Sequence, residues 1–557
     1  MTTPLLLLLA MSPAAEPVVA ADLVLSGGKV WTGDPKQPEA QAVAVWRDRI
    51  LKVGTDADVR PLVGPNTRVI DLAGRRVVPG FIDSHAHVLG GGMQLSRVEL
   101  KDAKDEAEFG RRLREYAANT PRDRWILGGN WDHDRAFGGK LPTAAIVDKY
   151  VSDRPVFIRR YDGHMALANS VALKLANITE KTKDPTGGVI DRLPDGKPAG
   201  VLKDAAMGLV DRLVPPPSEG EIAEAVRAAL KVAAEVGVTS IQDMEGSGSD
   251  ARRRYLRILQ RLAKAGELTC RIDVRWPIAL RNEIIDRGVL ANFGSPYVRI
   301  GGVKGFMDGS LGSSTAKFFD GYADNPANKG VFVFASKESM QSRIRSADAG
   351  GLSVAVHAIG DEANAVLLDM FDAAAKANGS KDSRYRIEHA QHLRPQDYPR
   401  FKQLGVIASM QPYHAIDDGR WAEGRIGKER CRSSYAFRSL LDAGAVLAFG
   451  SDWPVAPLDP LPGIDAAVNR RTLDGKHPDG WFPEQRITVA EAVRAYGWGG
   501  AYAGFQEGEK GTVEAGKLAD LVVLGRDIFD PKEKDRIGET KVELTIVGGK
   551  VVYERKN

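Results

Sequence analysis

Seven short apolar segments recur between Val236 and Asp452, and the stretches that separate them carry apolar residues at helical spacing. The segments span 236–243, 270–276, 298–305, 352–357, 385–389, 406–411 and 446–452. Strands joined in this way pair in parallel, because each connection is a crossover rather than a tight turn. An eighth segment lies upstream, where Val77, Val78, Phe81 and Ile82 read as buried strand with a break at Pro79 and Gly80. About eight strands, alternating with helices such as 221–235 and 361–377, predict an α/β fold, a (β/α)8 (TIM) barrel. Such a barrel presents its reactive groups at the C-terminal ends of its strands.

The barrel does not use the whole chain of 557 residues. It is assigned to 80–507, with an insertion at about 95–235 that holds its own strand at Pro155-Val156-Phe157-Ile158 and lies over the barrel mouth. Residues 21–79 and 508–557 are short strands between Gly, Pro and Asp turns, and pair into one small β-sandwich. With 43% apolar and 27% charged residues the composition is that of a globular protein, which excludes disorder and a multi-span membrane protein. Net charge is only +4 and no long basic block occurs, so there is no footprint for nucleic acid. Two cysteines, Cys270 and Cys431, cannot build a disulfide framework or a thiolate zinc site; they form one bridge or remain two buried thiols. Residues 1–20 run from apolar Leu5–Leu9 to small residues at Ala20-Ala21, the layout of a cleaved signal peptide without its basic start. That predicts a periplasmic or secreted protein, with the cytoplasm as the alternative; the run is too short to span a bilayer. A homo-oligomer stays open.

The run Phe81-Ile82-Asp83-Ser84-His85-Ala86-His87 ends the upstream strand with two imidazoles one residue apart. Side chains alternate along a strand, so His85 and His87 converge while Ala86 points away, and neutral imidazole is the commonest metal ligand. Further along, Lys304, His357, His389 and Asp452 each stand at or near the C-terminal end of a predicted strand. A single strand-end His or Asp is more often a cap or a hydrogen-bonding group. Six such residues meeting at one end of a barrel are not explained that way.

These residues lie in Pro79-Gly80-Phe81-Ile82-Asp83-Ser84-His85-Ala86-His87, Lys304-Gly305-Phe306-Met307-Asp308-Gly309-Ser310, Val356-His357-Ala358-Ile359-Gly360-Asp361, Ile387-Glu388-His389-Ala390 and Gly450-Ser451-Asp452-Trp453-Pro454, with Gly511-Thr512-Val513-Glu514-Ala515-Gly516-Lys517 near the end. In that order the set resembles the amidohydrolase superfamily, in the amidohydrolase-3 branch that includes N-substituted formamide deformylase. The resemblance covers nearly the whole chain after the leader, and implies a barrel beside a β-sandwich built from both termini. It implies that His85 and His87 hold one divalent metal and His357 and His389 a second, with Lys304, carboxylated by carbon dioxide, bridging them and Asp452 completing the site. Zinc is the default for such ligands. An ammonium would repel a dication, whereas a carbamate offers an oxygen to each of two metals about 3.5–4 Å apart; an unmodified Lys304 implies one metal.

The implied reaction is hydrolysis of a C–N bond in an amide or formamide by water activated at the metals, with Asp452 taking the proton and returning it to the leaving nitrogen. Rival readings are a lactone or cyclic amide as substrate, and a catalytically silent regulatory or binding protein on the same scaffold. Asp162-Gly163-His164 is similar to a motif of this branch, so His164 either donates to the substrate carbonyl or is tied up within its loop. Asp308 and His414 lie just past barrel strands, where they contact substrate or support the ligands. His133 reads as a surface loop residue and His392 as structural; Trp131, Trp453 and Trp498 either wall the pocket or pack; Gly90-Gly91-Gly92 reads as a tight loop.

Overall fold

The break at Pro79 and Gly80 is the point where the chain leaves one domain for another. Arg76–Pro79 pairs with Leu521–Leu524 in a sheet made from both ends of the chain, whereas Phe81–Ala86 is the first strand of the barrel. Gly80 is required between them, since a Cβ there would lie 2.3 Å from Thr239 Oγ1. The computed structural model describes residues 19–556 apart from Ser96, Ser247 and Ser380. Most of the expected leader, 1–18, lies outside the described residues.

Eight parallel strands make the barrel: β1 Phe81–Ala86, β2 Val238–Asp243, β3 Arg271–Pro277, β4 Val298–Phe306, β5 Val354–Ala358, β6 Arg386–His389, β7 Ile407–Met410 and β8 Val446–Phe449. They follow one another in chain order around the sheet. The seam is closed just beyond β8, where the Asp452 N–H donates to the His85 carbonyl at 2.6 Å and the His87 N–H donates to the Trp453 carbonyl at 2.8 Å. β8 is shorter than the expected 446–452, because Gly450 packs against His85, where a Cβ would come within 2.5 Å of the backbone nitrogen, and Asp452 turns out of the strand at φ 60°. Register sets the height of the site: His357 on β5 lies beside Phe306 on β4, and His389 on β6 beside Ala358 on β5.

Helix Glu219–Glu235 begins at a capping box, Ser218 accepting from Glu221 N–H while the Glu221 carboxylate accepts from Ser218 N–H. Its buried face of Ile222, Val226, Ala229, Leu230 and Ala233 belongs to the barrel core. The loop expected at Gly90-Gly91-Gly92 is instead part of helix Val88–Leu95. The glycines serve close packing there: a Cβ on Gly92 would lie 2.0 Å from the Ala225 carbonyl, and one on Gly91 would strike the Trp453 ring at 2.2 Å.

The termini form two packed sheets, a four-stranded one containing Ala21–Ser26 and Ala42–Trp46 and a six-stranded one containing Arg76–Pro79, Leu521–Leu524 and Val542–Val547. Leu23, Val43, Val45, Val77, Leu521 and Ile546 share one buried cluster between them. The insertion is more ordered than the single strand expected of it. It carries a six-stranded sheet that includes Ile126–Trp131, Val156–Arg160 and Pro198–Asp204, over a separate core of Phe109, Leu113, Val147, Ile158 and Val201. Both cysteines are buried free thiols, which removes the bridge alternative. No helix among the described residues is long and apolar enough to cross a membrane.

Candidate metal centre

His85, His87, Lys304, His357, His389 and Asp452 all line one cavity of about 590 Å³ at the C-terminal mouth of the barrel. Asp452 Oδ1 lies 3.1 Å from His87 Nε2 and 3.4 Å from His85 Nε2, and Lys304 Nζ is 3.3 Å from that same His85 nitrogen. The His389 ring centroid is 4.9 Å from that of His85 and 4.5 Å from that of His357.

The protonation states suit a cation. Burial, with the charge of Lys304 added, drops the His85 pKa to about 4 and holds His357 well below the ordinary range. His389 is likewise lowered by burial and by His357. These rings are neutral and carry a lone pair. Burial alone would favour protonated Asp452, but His85 and the hydrogen bond from His87 outweigh it and keep the carboxylate ionised. Burial pulls Lys304 down to about 8 against the opposing pull of Glu388 and Asp452.

Which ring nitrogen is free follows from the hydrogen bonds around it. Glu388 Oε2 accepts from His85 Nδ1 at 2.7 Å, so the His85 lone pair is on Nε2, facing Lys304 and Asp452. Glu388 is in turn held by Arg386, whose Nε is 2.8 Å from Oε1, and by the Ser409 hydroxyl at 2.7 Å. Burial works against its ionisation, and Arg386 and His85 more than offset that. His357 Nε2 donates to the Gly309 carbonyl at 3.1 Å, which leaves its lone pair on Nδ1. The seam itself is fixed by Asp83, which accepts from the backbone N–H of His85 at 3.0 Å and from the Ser451 hydroxyl at 2.5 Å.

Two observations test whether a metal fits. His389 Nδ1 and His414 Nε2 are buried with no hydrogen-bond partner among the described residues, and an orphaned buried polar atom is costly unless something else meets it. Donor atoms of His85, His87 and Asp452 lie within 4.8 Å of one another, as do those of His389, His414 and Asp452. His87 differs from the other rings: burial opposes its protonation, but the hydrogen bond and charge of Asp452 prevail and raise its pKa. The neutral imidazoles of His85, His357, His389 and His414 with the Asp452 carboxylate fit a divalent cation, which would displace the His87 proton. The backbone is also strained here: His389, Ala390 and Asp452 sit at φ 74°, 43° and 60°, a left-handed region that costs non-glycine residues roughly 1–3 kcal/mol each.

The remaining candidates separate. His414, at helix Pro412–Asp418, comes to ligand distance of Asp452 rather than only to the substrate side. His164 lines the cavity from the insertion, its ring 6.3 Å from that of His357, with Nδ1 2.8 Å from Asp204 Oδ1. Burial opposes protonation of His164, but Asp204 and Asp162 prevail and raise its pKa. Asp162 also lines the cavity, yet spends its oxygens on Arg160 at 2.8 Å, Ser310 at 3.0 Å and the His164 N–H at 3.2 Å. Of the two roles open to Asp308, support of the ligands fits rather than substrate contact. Its carboxylate is fully buried, 3.6 Å from His357 Nε2, and accepts from the backbone N–H groups of Lys317, Ile359 and Gly360 at 2.8–3.0 Å, clamping the chain just beyond His357. Its pKa is pushed up to about 7 by burial in spite of those bonds.

His133 is not a surface residue; it is 5% exposed and its Nδ1 accepts from Arg160 Nε. His392 is held by Ser434 Oγ at 2.6 Å. Of the tryptophans, Trp131 donates to the Ile158 carbonyl and Trp498 stacks on Tyr502, whereas the aromatic lining of the cavity comes from Phe157, Tyr161, Phe306 and Trp421. Glu388, Asp83 and Asp204 were not singled out from the sequence. A charged pair at alternate positions of an otherwise apolar strand, Arg386 and Glu388, was the available signal for the first.

A family profile described as "Amidohydrolase family" matches residues 68–553. The chain is 40% identical over 546 residues to Protein LONG AFTER FAR-RED 3 of Arabidopsis thaliana, covering 96% of this chain and 92% of that one. It is 28% identical over 564 residues to N-substituted formamide deformylase of Arthrobacter pascens, covering 96% and 98%. Among solved structures, an uncharacterized metal-dependent hydrolase from Pyrococcus horikoshii superposes with a TM-score of 0.74 at 29% identity, over 92% of this chain and 99% of that one.

Proposed function

This chain belongs to the amidohydrolase family, and from that membership we propose that it hydrolyses the C–N bond of an amide, formamides among them, with the help of divalent metal. The carrying observation is the set of neutral, partnerless imidazole nitrogens and one ionised carboxylate opening on the cavity. The name of the Arthrobacter relative supports formamide as a substrate class.

In this reading His85, His87, His357, His389 and Asp452 would hold divalent metal, zinc by default, with His414 as a further donor and Lys304, once carboxylated, adding an anionic oxygen ligand. Bound divalent ions polarise a carbonyl and lower the pKa of water to about 7. Carboxylation joins the neutral Lys304 amine to carbon dioxide with release of one proton, and the depressed pKa of this lysine supports it. Asp452 takes the proton of the attacking water and returns it to the leaving nitrogen. His164, tethered through Nδ1 to Asp204, offers Nε2–H to the carbonyl oxygen of the substrate. Glu388 and Asp83 touch no substrate; they fix His85 and the Asp452 turn. The leader at 1–20 extends the proposal to a periplasmic or secreted location, which cell fractionation checks.

The test is chelation of the purified protein, assayed on N-substituted formamides beside lactones and cyclic amides. Hydrolysis of formamide should disappear with the metal and return on adding zinc. Turnover that survives complete metal removal, or a zinc-loaded protein inert to every amide, would sink the reading.

A further inference from the structure

Three guanidinium groups line the cavity, and two of them are already paired. Arg160 is held by Asp162 at 2.8 Å, and Arg159 by Asp211 at 2.7 Å. Arg97 has no carboxylate, hydroxyl, carbonyl or ring partner for its side chain among the described residues. The acids nearest it are engaged elsewhere: Glu245 accepts from the Gly90 N–H at 3.0 Å, and Glu221 caps its own helix through Ser218 and reaches Arg124 at 3.3 Å. Burial draws the Arg97 pKa down and the Arg159 charge adds to it; Tyr116, Glu221 and Glu245 pull the other way without offsetting the loss, so an anion in direct contact would relieve both.

We infer that the substrate is an amide bearing a carboxylate remote from the scissile bond, held by Arg97 at the insertion end of the cavity. The spacing fits an elongated molecule. His87 and Arg97 flank the eight-residue helix Val88–Leu95, which spans roughly 12 Å at 1.5 Å per residue. Leu127, Phe157 and Val214, which belong to one apolar cluster of the insertion, also line the cavity and suit a run of methylenes or an aryl group. Arg159, partly exposed beside Arg97, gives the anion a second cation at longer range. The guanidinium fork matches a carboxylate in two parallel hydrogen bonds.

The inference rests on the hydrolase reading only for the bond that is cut. Its test uses the metal-loaded full chain with ω-formamidohexanoate and its methyl ester, which differ in the remote charge alone. Steady-state kinetics give KM and kcat for each, and calorimetry on the Asp452→Asn protein gives binding without turnover. The acid should bind on the order of 30-fold tighter than the ester, the difference lying in KM, and this ratio should fall to about one in both Arg97→Met and Arg97→Gln. Two variants guard against one that fails to fold. An acid-to-ester ratio near one in the unmodified protein, or a ratio that survives both substitutions, overturns the inference. Arg97-dependent preference without cleavage of either probe upholds the anchor and counts against the hydrolase; cleavage of both without preference does the reverse.

Discussion

Ligand-type atoms of His and Asp side chains come within 4.8 Å of one another both on the barrel rim, in His85, His87 and Asp452, and in the insertion, in Asp132, His133 and Asp134. By spacing alone they are equivalent. They differ in what else is present. In the insertion Arg160 Nε donates to His133 Nδ1 at 3.2 Å, Arg160 Nη2 lies 3.5 Å from Asp134 Oδ2, and Asp132 accepts from the Asp134 N–H at 3.0 Å. A permanent guanidinium already supplies the positive charge. On the rim the corresponding arginine, Arg386, is spent on Glu388, and the positive charge near the ligand atoms is titratable: Lys304, whose pKa burial has brought to about 8, and His87, whose pKa Asp452 raises against burial. Ligand geometry marks a metal site where no permanent cation already holds the carboxylates and the groups beside them can give up a proton.

The comparison breaks first at Asp452. Asp452→Asn removes the proton acceptor while leaving an oxygen to face the cation, so kcat should fall by about 10³-fold with metal content largely kept. Elemental analysis beside kinetics checks both, and near-normal turnover would strip Asp452 of its role. Next comes the charge-balancing layer. Glu388→Gln loosens the orientation of His85 and its tautomer, and should weaken metal binding by about 10–100-fold in a chelator competition. An unchanged affinity would mean that Glu388 serves only to neutralise Arg386.

The contrast also explains what the sequence reveals. Barrel strands are legible because they are short, apolar and separated by helical spacing; β2 to β7 lie within one or two residues of expectation. β8 is shorter than its pattern predicts because Gly450, Ser451 and Asp452 follow the apolar run without a proline or other break, while the backbone turns out of the strand at Asp452. The six candidate ligand positions are legible because their residue types fall at or near strand ends, which a parallel barrel gathers at one rim. The partners that set ring orientation come from distant segments. Glu388 meets His85 across 303 residues and Asp204 meets His164 across 40, separations that no local pattern encodes. Asp308 stayed undecided in the sequence for the related reason that its position past β4 allows either substrate contact or support of the ligands, and only the fold brings its carboxylate to the backbone of the β5 exit.

A smaller effect is expected at Asp204. Its carboxylate fixes His164 and, with Asp162, raises the ring pKa against burial. A group that must be protonated to donate loses activity as pH rises through its pKa. Asp204→Asn removes the raising charge, so the alkaline limb of the kcat profile should move to lower pH and kcat at neutral pH should fall roughly tenfold. Loss of kcat without movement of that limb would leave Asp204 a purely structural tie.

The smallest effect tests the other side of the contrast. If Arg160 already satisfies the insertion group, His133→Asn should leave zinc content and turnover within about twofold, because no cation was lost. The cost should appear in stability. Arg160 is almost fully buried, and removing the acceptor of its Nε strands a donor, worth about 1–3 kcal/mol in denaturant unfolding. Asn can reach part of that bond, which places the expectation near the lower end. A variant that instead lost a stoichiometric metal would show that His133 and its flanking aspartates bind a cation in spite of the guanidinium, and that charge balance does not separate the two groups.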